Sequence, residues 1–374
     1  MNVPDLVGSL ACGDNRSAAA LNLANWRRFE GTNLAARRSR KSSRKRDKPS
    51  VTLEAVARKA GVGASTVSRV LRKQGSFSPR TRDKVVAAVE KLGYVPNNIA
   101  GTLASTRSQL VGVVIPSLTN IVFPDLLRGV HKTLDAAGYK SVIGVTEYDP
   151  SQEELMIESM LAWRPAGLII AGLEHTNRAR TMLKNSGVRV VEVFDIDGKG
   201  IDFVVGFSNL AVGRTSAQFL VSRGYRHFGY VGHNIEMDLR AGKRLSGFKL
   251  ALQAAGLSLQ DQELVARPSS VEEGRNGLAR LLARNPAIDA VYFSNDDMAI
   301  GGYFHCLANA IAVPDRLALF GCNGLEVARF APQPLSTIRT PRFLMGETGA
   351  RLVLTDEPSK VVDLGFELIE GATA

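Results

Sequence analysis

Residues 51–72, VTLEAVARKAGVGASTVSRVLR, decide how the rest of the chain is read. Leu53, Val56, Ala57 and Ala60 recur at helical spacing and Thr52 precedes them as an N-cap, which predicts a short helix. Gly61 ends it and supplies the positive φ of a tight turn. A second helix is expected from about Ala64 to Leu71, with Val67, Val70 and Leu71 turned inward. Ala57 is small enough for two helices to cross closely, Val62 plugs the turn and Val67 faces the core. Those residues, with Gly61, meet the needs of a helix-turn-helix.

The outward face of the second helix carries Ala64, Ser65, Thr66, Ser68, Arg69 and Arg72. In a major groove, Arg69 can pair bidentately with guanine, a contact worth about 1–3 kcal/mol of discrimination. Thr66 and Ser68 are short hydroxyl donors suited to phosphates, which position a helix without reading sequence. On an ordinary helical hairpin the same residues would form a solvated face, but turn glycine, buried valines and local basicity all favour DNA. A third helix follows, with Ser78 as N-cap, Pro79 at its first position and Leu92-Gly93 at its end. In NNIAGTLAST, Ile99, Ala100, Leu103 and Ala104 form a weak helical pattern behind two helix-weakening asparagines. This segment is expected to be marginal alone and to fold on contact with a partner.

The charge distribution agrees. Net charge is +11, from 47 basic and 36 acidic residues, and it divides as +7 over residues 1–48, +7 over 49–108 and −3 over 109–374. A basic head on a slightly acidic body is the pattern of a polyanion-binding module joined to a sensing or catalytic domain. Residues 37–48, RRSRKSSRKRDK, lack hydrophobic periodicity and read as a disordered tether that adds phosphate attraction.

Composition is that of a globular protein, at 45% hydrophobic, 6% aromatic and 22% charged residues, which excludes collagen-like, wholly disordered and disulfide-scaffold classes. No window holds the run of about 18 apolar residues that a membrane span requires. Cys12, Cys306 and Cys322 show no metal-ligand or redox spacing, and no cofactor is expected. Asp5 and Asp14 stand where a signal peptide would carry positive charge, so a cytoplasmic location is expected.

Beyond Arg107 the pattern becomes short apolar runs, LVGVVI, SVIGV, GLIIAG, VRVVEV, HFGYVG, DAVYFS and RLALFG, each followed by a helix-length segment. These read as buried strands of parallel sheets in an α/β body. Residues 109–374 exceed one doubly wound unit, so two similar subdomains with a cleft between them are expected, with ligand at the carboxyl ends of the strands. Residues just after those ends are the candidate pocket: Ser117, Asn120, Phe123, His175, Asn295 and Asp296.

VTLEAVARKAGVGASTVSRVL followed by SPRTRDKVVAAVEKLGYVPNNIAGTLAS resembles the DNA-binding head and hinge of the lac repressor (LacI) family of bacterial transcription regulators, and the similarity runs to about Leu368. The resemblance implies a small all-α helix-turn-helix head on an α/β periplasmic-binding-protein-like body of two parallel-sheet subdomains. It divides the chain into an N-terminal extension (1–48), a head (49–96), a hinge helix and linker (97–108) and an effector-binding, dimerising body (109–374). It further implies that Ala64, Ser65 and Arg69 read bases, that Asn97 and Ala100 contact DNA from the hinge, and that Leu103 wedges between base pairs in the minor groove. As a linker residue, Leu103 would instead pack on the body. Gly63 stands where the family usually has a helix-starting serine or threonine, and Ala64 offers only apolar contact.

In the body, Arg244 in KRLSGF matches the family's ligand-binding arginine, and NDDMAIG from Asn295 matches a second effector-contacting motif. A guanidinium suits a carboxylate or vicinal hydroxyls, while Asp296 can accept from sugar hydroxyls. Arg244 would otherwise be a surface helix residue and Asp296 a helix cap; Ser117 and His175 suit scaffold roles equally well. Gly321-Cys322-Asn323-Gly324 departs from the family pattern along one pocket wall. PSLTNIVFPDLLRGV, ESMLAWRPAGLII and GLEHT most resemble the branch that represses gluconate utilisation.

The implied protein is a homodimeric repressor that binds a double-stranded DNA operator under control of a sugar or sugar-acid effector. An enzyme is disfavoured, since no G-x-S-x-G, P-loop or G-x-G-x-x-G follows a strand and the five histidines show no metal spacing. A sugar-binding transport or sensor protein fits the body but not the basic head, and a corepressor-dependent regulator of another carbohydrate pathway fits both.

Overall fold

The computed structural model describes residues 51–71, 75–95 and 108–374, which divide into two compact units with the boundary at Pro96. The basic extension and the expected hinge helix, with Arg72, Asn97, Ala100 and Leu103, lie outside the described residues.

The described residues of the first unit form three helices, α1 (Leu53–Ala60), α2 (Ala64–Leu71) and α3 (Pro79–Leu92). The Thr52 hydroxyl accepts from Ala55 N at 3.3 Å and Ser78 Oγ from Thr81 N at 3.2 Å, so two of the three helices start on side-chain caps. Gly61 turns the chain at φ 67°, and Val62 N donates to Ala57 O at 3.1 Å to close α1. Gly63 has no side chain to cap α2; only its carbonyl takes part, accepting from Thr66 and Val67 N. Val56, Ala57, Ala60, Val67, Val70, Val85 and Ala88 form the core.

The second unit holds two six-stranded sheets. One comprises β1 (Leu110–Ile115), β2 (Lys140–Val145), β3 (Gly167–Ala171), β4 (Arg189–Val193), β5 (Phe203–Gly206) and β11 (Val361–Asp363), all parallel, in the order β11-β5-β4-β3-β1-β2. The other comprises β6 (Phe228–His233), β7 (Leu259–Val265), β8 (Ala290–Phe293), β9 (Ala318–Asn323), β10 (Ser336–Arg339) and β12 (Glu367–Ile369), in the order β12-β10-β9-β8-β6-β7. Here β12 runs antiparallel to β10, an edge strand that the expectation of purely parallel sheets did not include.

The chain passes between subdomains three times: after β5, after β10, and between β11 and β12. Helix α4 (Val122–Ala136) therefore packs on α12 (Arg342–Leu352), and α7 (Asn209–Ser222) on α8 (Leu239–Ala254), although each pair is distant in sequence or in subdomain origin. The last pair meets backbone to backbone: a methyl on Gly247 would lie 2.1 Å from Leu210 O. Helices α5 (Pro150–Ala162), α6 (Asn177–Asn185), α9 (Val271–Arg284), α10 (Asp296–Ala308) and the short α11 (Glu326–Arg329) complete the layers. Both sheets aim their carboxyl ends at the cleft, and one apolar core, including Phe123, Phe194, Phe248, Tyr292 and Phe320, runs through the crossings beneath it.

Candidate recognition helix and effector cleft

Helix α2 holds its apolar side against the head through Val67, which is wholly buried, and Val70. This leaves Ser65 and Arg69, one turn apart, fully outward, with Thr66 and Ser68 partly covered beside them. Ala64, expected on the outward face, is partly buried and packs against the core of the head. Side chains at the start of a helix lean back over the preceding turn, which brings Ala64 towards that core. The exposed surface is thus an arginine fork with a serine hydroxyl one turn before it.

In the body, the loop after β1 is built by Ser117 and Asn120. Ser117 Oγ accepts from Thr119 N at 3.1 Å and Asn120 N at 3.3 Å, and Asn120 Oδ1 accepts from Val122 N at 3.3 Å to start α4. Asn120 Nδ2 donates to the Tyr148 hydroxyl at 3.1 Å. Tyr148 and its neighbour Glu147 adopt left-handed φ values of 60° and 51°, an uncommon backbone state for residues with side chains. Burial pushes the Tyr148 phenol up to about 12, so it stays protonated. Phe123 is fully buried and meets Phe194 edge-on at 5.3 Å.

His175 sits between two carboxylates, with Nδ1 2.7 Å from Glu153 and Nε2 3.1 Å from Glu192, and its side chain has no solvent exposure. Burial alone would lower its pKa, but the hydrogen bonds and charges of Glu153 and Glu192 outweigh that and push it up to about 9. The imidazolium is therefore fully engaged within its own subdomain.

The second subdomain supplies Arg244 and Asn295, and the fold brings them together. Arg244 Nη1 donates to Asn209 Oδ1 at 3.1 Å; Nη2 donates to Ser294 O at 3.2 Å and Asn295 Oδ1 at 3.4 Å. Asn209, unmarked in the sequence, also donates to Phe194 O at 3.0 Å, so it ties Arg244 to the opposite subdomain. Asn323 Nδ2 donates to Asn295 Oδ1 at 3.0 Å, which places the divergent 321–324 segment against the motif residue. Two buried donors are left over: Arg244 Nε and Asn295 Nδ2 have no partner. Asp296 is turned away from this group. Its oxygens accept from the Thr337 hydroxyl at 2.6 Å and Leu325 N at 2.7 Å, and burial pushes its pKa up to about 6.

A cavity of about 380 Å³, within the usual range for small-molecule sites, lies at the mouth of the cleft, lined in part by Thr146, Tyr148, Glu153, Gly172, Asp238 and Arg240. Arg240 stands one helical turn before Arg244 on α8, a spacing that marks it as sharing that face. Asp238 caps α8, accepting from Ala241 N at 3.3 Å, and lies 3.2 Å from His233 Nε2. Burial would raise its pKa, but Arg240, His233 and Arg244 hold the carboxylate well below the usual range. Lys243 crosses to the first subdomain, where it pairs with Glu174 at 2.5 Å and with the fully buried Asp195. Arg342 forms a second bridge, binding Asp125 at 3.1 Å as well as Asn323 O. Among the described residues no cluster of histidine, cysteine and carboxylate groups could hold a metal ion, and no helix is long and apolar enough to cross a membrane.

Comparison with known proteins follows the same division. Residues 52–97 match the model described as bacterial regulatory proteins, lacI family, and residues 108–362 match that of periplasmic binding proteins and sugar binding domain of LacI family. The HTH-type transcriptional regulator GntR of Pseudomonas aeruginosa is 39% identical over 325 residues, covering 85% of this chain and 94% of that protein. The crystal structure of a LacI-family transcriptional regulator from Silicibacter pomeroyi has a TM-score of 0.83 and 41% identity, covering 86% of this chain and 99% of its own. The lac repressor dimer bound to operator and an anti-inducer shares the fold, with a TM-score of 0.74 at 24% identity over 87% of this chain and 99% of its own.

Proposed function

This chain belongs to the LacI family of bacterial regulatory proteins and is a DNA-binding transcriptional regulator, and we propose that a small sugar acid such as gluconate, bound between the two subdomains of its body, sets its affinity for the operator. Two copies read the halves of a near-palindromic operator, with Arg69 on a guanine and Ser65 beside it. Leu103 of each hinge wedges into the minor groove between the half-sites.

The reading of the effector rests on one observation above the others. Arg244 Nε and Asn295 Nδ2 are buried without a partner, a cost of about 1–3 kcal/mol each that oxygens of a bound polyol remove. Effector binding changes the angle between subdomains that Lys243, Arg342 and Asn209 now fix, and so weakens the grip of the paired hinges on DNA. A coupling of about 1–3 kcal/mol corresponds to a 5- to 150-fold change in operator affinity.

Arg244→Ala separates the two halves of this account. Operator affinity without effector stays within about threefold of the wild type, which is under 1 kcal/mol, and the response to gluconate is lost. An unaltered gluconate dose curve would remove Arg244 from the site.

A further inference from the structure

The geometry points to Arg240 as the residue that makes the cleft selective for an acid, its guanidinium binding the carboxylate end of the effector while Arg244 and Asn295 meet the hydroxyls. This inference rests on the function proposed above and assigns the chemical class of its ligand to one side chain.

Arg240 is nine-tenths buried yet under-used. Its Nε is 3.4 Å from Asp238 Oδ1, a marginal hydrogen bond, and its two terminal nitrogens make none among the described residues. The guanidinium lies over the rings of Phe123 at 5.6 Å and Phe194 at 5.4 Å, which hold its plane without occupying its donors. The same residue lines the cavity of about 380 Å³, which gives its unpaired donors room for a ligand oxygen pair. A planar fork with two free parallel donors, pre-oriented by aromatic faces, matches a carboxylate better than a hydroxyl.

The cavity also holds carboxylates, and their pairing decides the local sign. His175 is shared by Glu153 and Glu192 and Lys243 by Glu174 and Asp195, Asp238 lies between Arg240 Nε and His233, and Asp149 caps α5 through Ser151 N. Glu236 is exposed to solvent at the rim. Across the cavity the Tyr148 hydroxyl, which accepts from Asn120, keeps its own proton to donate to the ligand. An anionic group is thus received by the terminal nitrogens of Arg240 and by the Tyr148 hydroxyl, with the inward carboxylates of the lining already hydrogen-bonded to other donors.

Calorimetric titration of the full chain with gluconate and with glucitol, which carries a hydroxymethyl in place of the carboxylate, tests the assignment. The wild type is expected to favour gluconate, and Arg240→Met to lose gluconate affinity by about 10- to 100-fold while glucitol binding stays within about threefold, so that discrimination collapses. Arg240→Lys, which keeps the charge without the fork, is expected to fall between the two and serves if the methionine variant does not fold. Gluconate binding unchanged in both variants would overturn the role of Arg240 alone. A wild-type protein that binds operator but takes up no sugar acid would overturn it together with the proposed effector.

Discussion

A methyl group on Gly213 would lie 1.8 Å from the carbonyl oxygen of Arg244. Arg244, whose guanidinium is proposed to meet the effector, is therefore pressed, through its backbone, against a helix that enters from the other side of a crossing. Position 213 in α7 sets where α8 lies, and α8 sets where Arg240 and Arg244 point.

Gly213→Ala forces those helices apart. Overpacking of this kind costs about 1–3 kcal/mol, read as a lower urea midpoint for the body. Effector affinity should fall as well, since Arg244 moves relative to Asn209 and Asn295. A variant with the wild-type midpoint would show that the contact relaxes without cost.

Arg69→Ala removes the guanine fork from α2 but touches nothing in the body. The expected loss is about 1–3 kcal/mol of discrimination between operator and random DNA, measured by competition titration at fixed salt, with gluconate affinity intact. Loss of effector binding with retained operator specificity would reverse the division of labour between the units.

Lys243→Met leaves the buried Asp195 without its cation and frees one bridge between subdomains. Removing one partner of a buried pair costs about 3–5 kcal/mol; because Lys243 is a fifth exposed, the lower end is expected. The operator titration should also show a smaller ratio of affinities with and without effector. A ratio equal to that of the wild type would mean that this bridge does not restrain the subdomain angle.

His175 gives the body a pH signature. Its pKa is raised from 6.5 to about 9 by Glu153 and Glu192 against the opposing effect of burial, so the folded state binds its proton more tightly than the unfolded chain. The resulting stability, about 3 kcal/mol, is fully present below pH 6.5 and lost as pH rises through 9. Urea unfolding of the body at pH 6 and pH 9.5 should show the decline, and His175→Gln should flatten it. Equal slopes in both proteins would exclude the imidazolium as its source.

Local pattern reached much of this architecture. Capping residues and turn glycines located all three head helices, and the seven apolar runs correspond to β1, β2, β3, β4, β6, β8 and β9. It passed over β5, a buried run of only four residues, FVVG, and β10, whose STIR is mostly polar. β7 is an edge strand paired only with β6, and its Asp261 and Glu263 bind Arg284 and Arg280 at the surface. β11 and β12 are three residues each. In the cleft, Arg244 and Asn295 were legible from motifs, and Arg240 carried a signal in its spacing four residues before Arg244. Asn209 and Lys243 carried none, because their roles depend on partners 35 and 48 residues away across a chain crossing. Ala64 shows the reverse failure: helical spacing puts it outward, while the direction of its side chain puts it against the core.

The central claim is that a sugar acid in the cleft controls DNA binding by the head. Titration of the full-length protein against an operator fragment from beside its own gene, at fixed salt, with gluconate, with glucitol and with neither, tests it most directly. The account predicts specific binding that weakens at least about fivefold with gluconate and is unchanged by glucitol. Specific binding indifferent to gluconate at saturating concentration would contradict it.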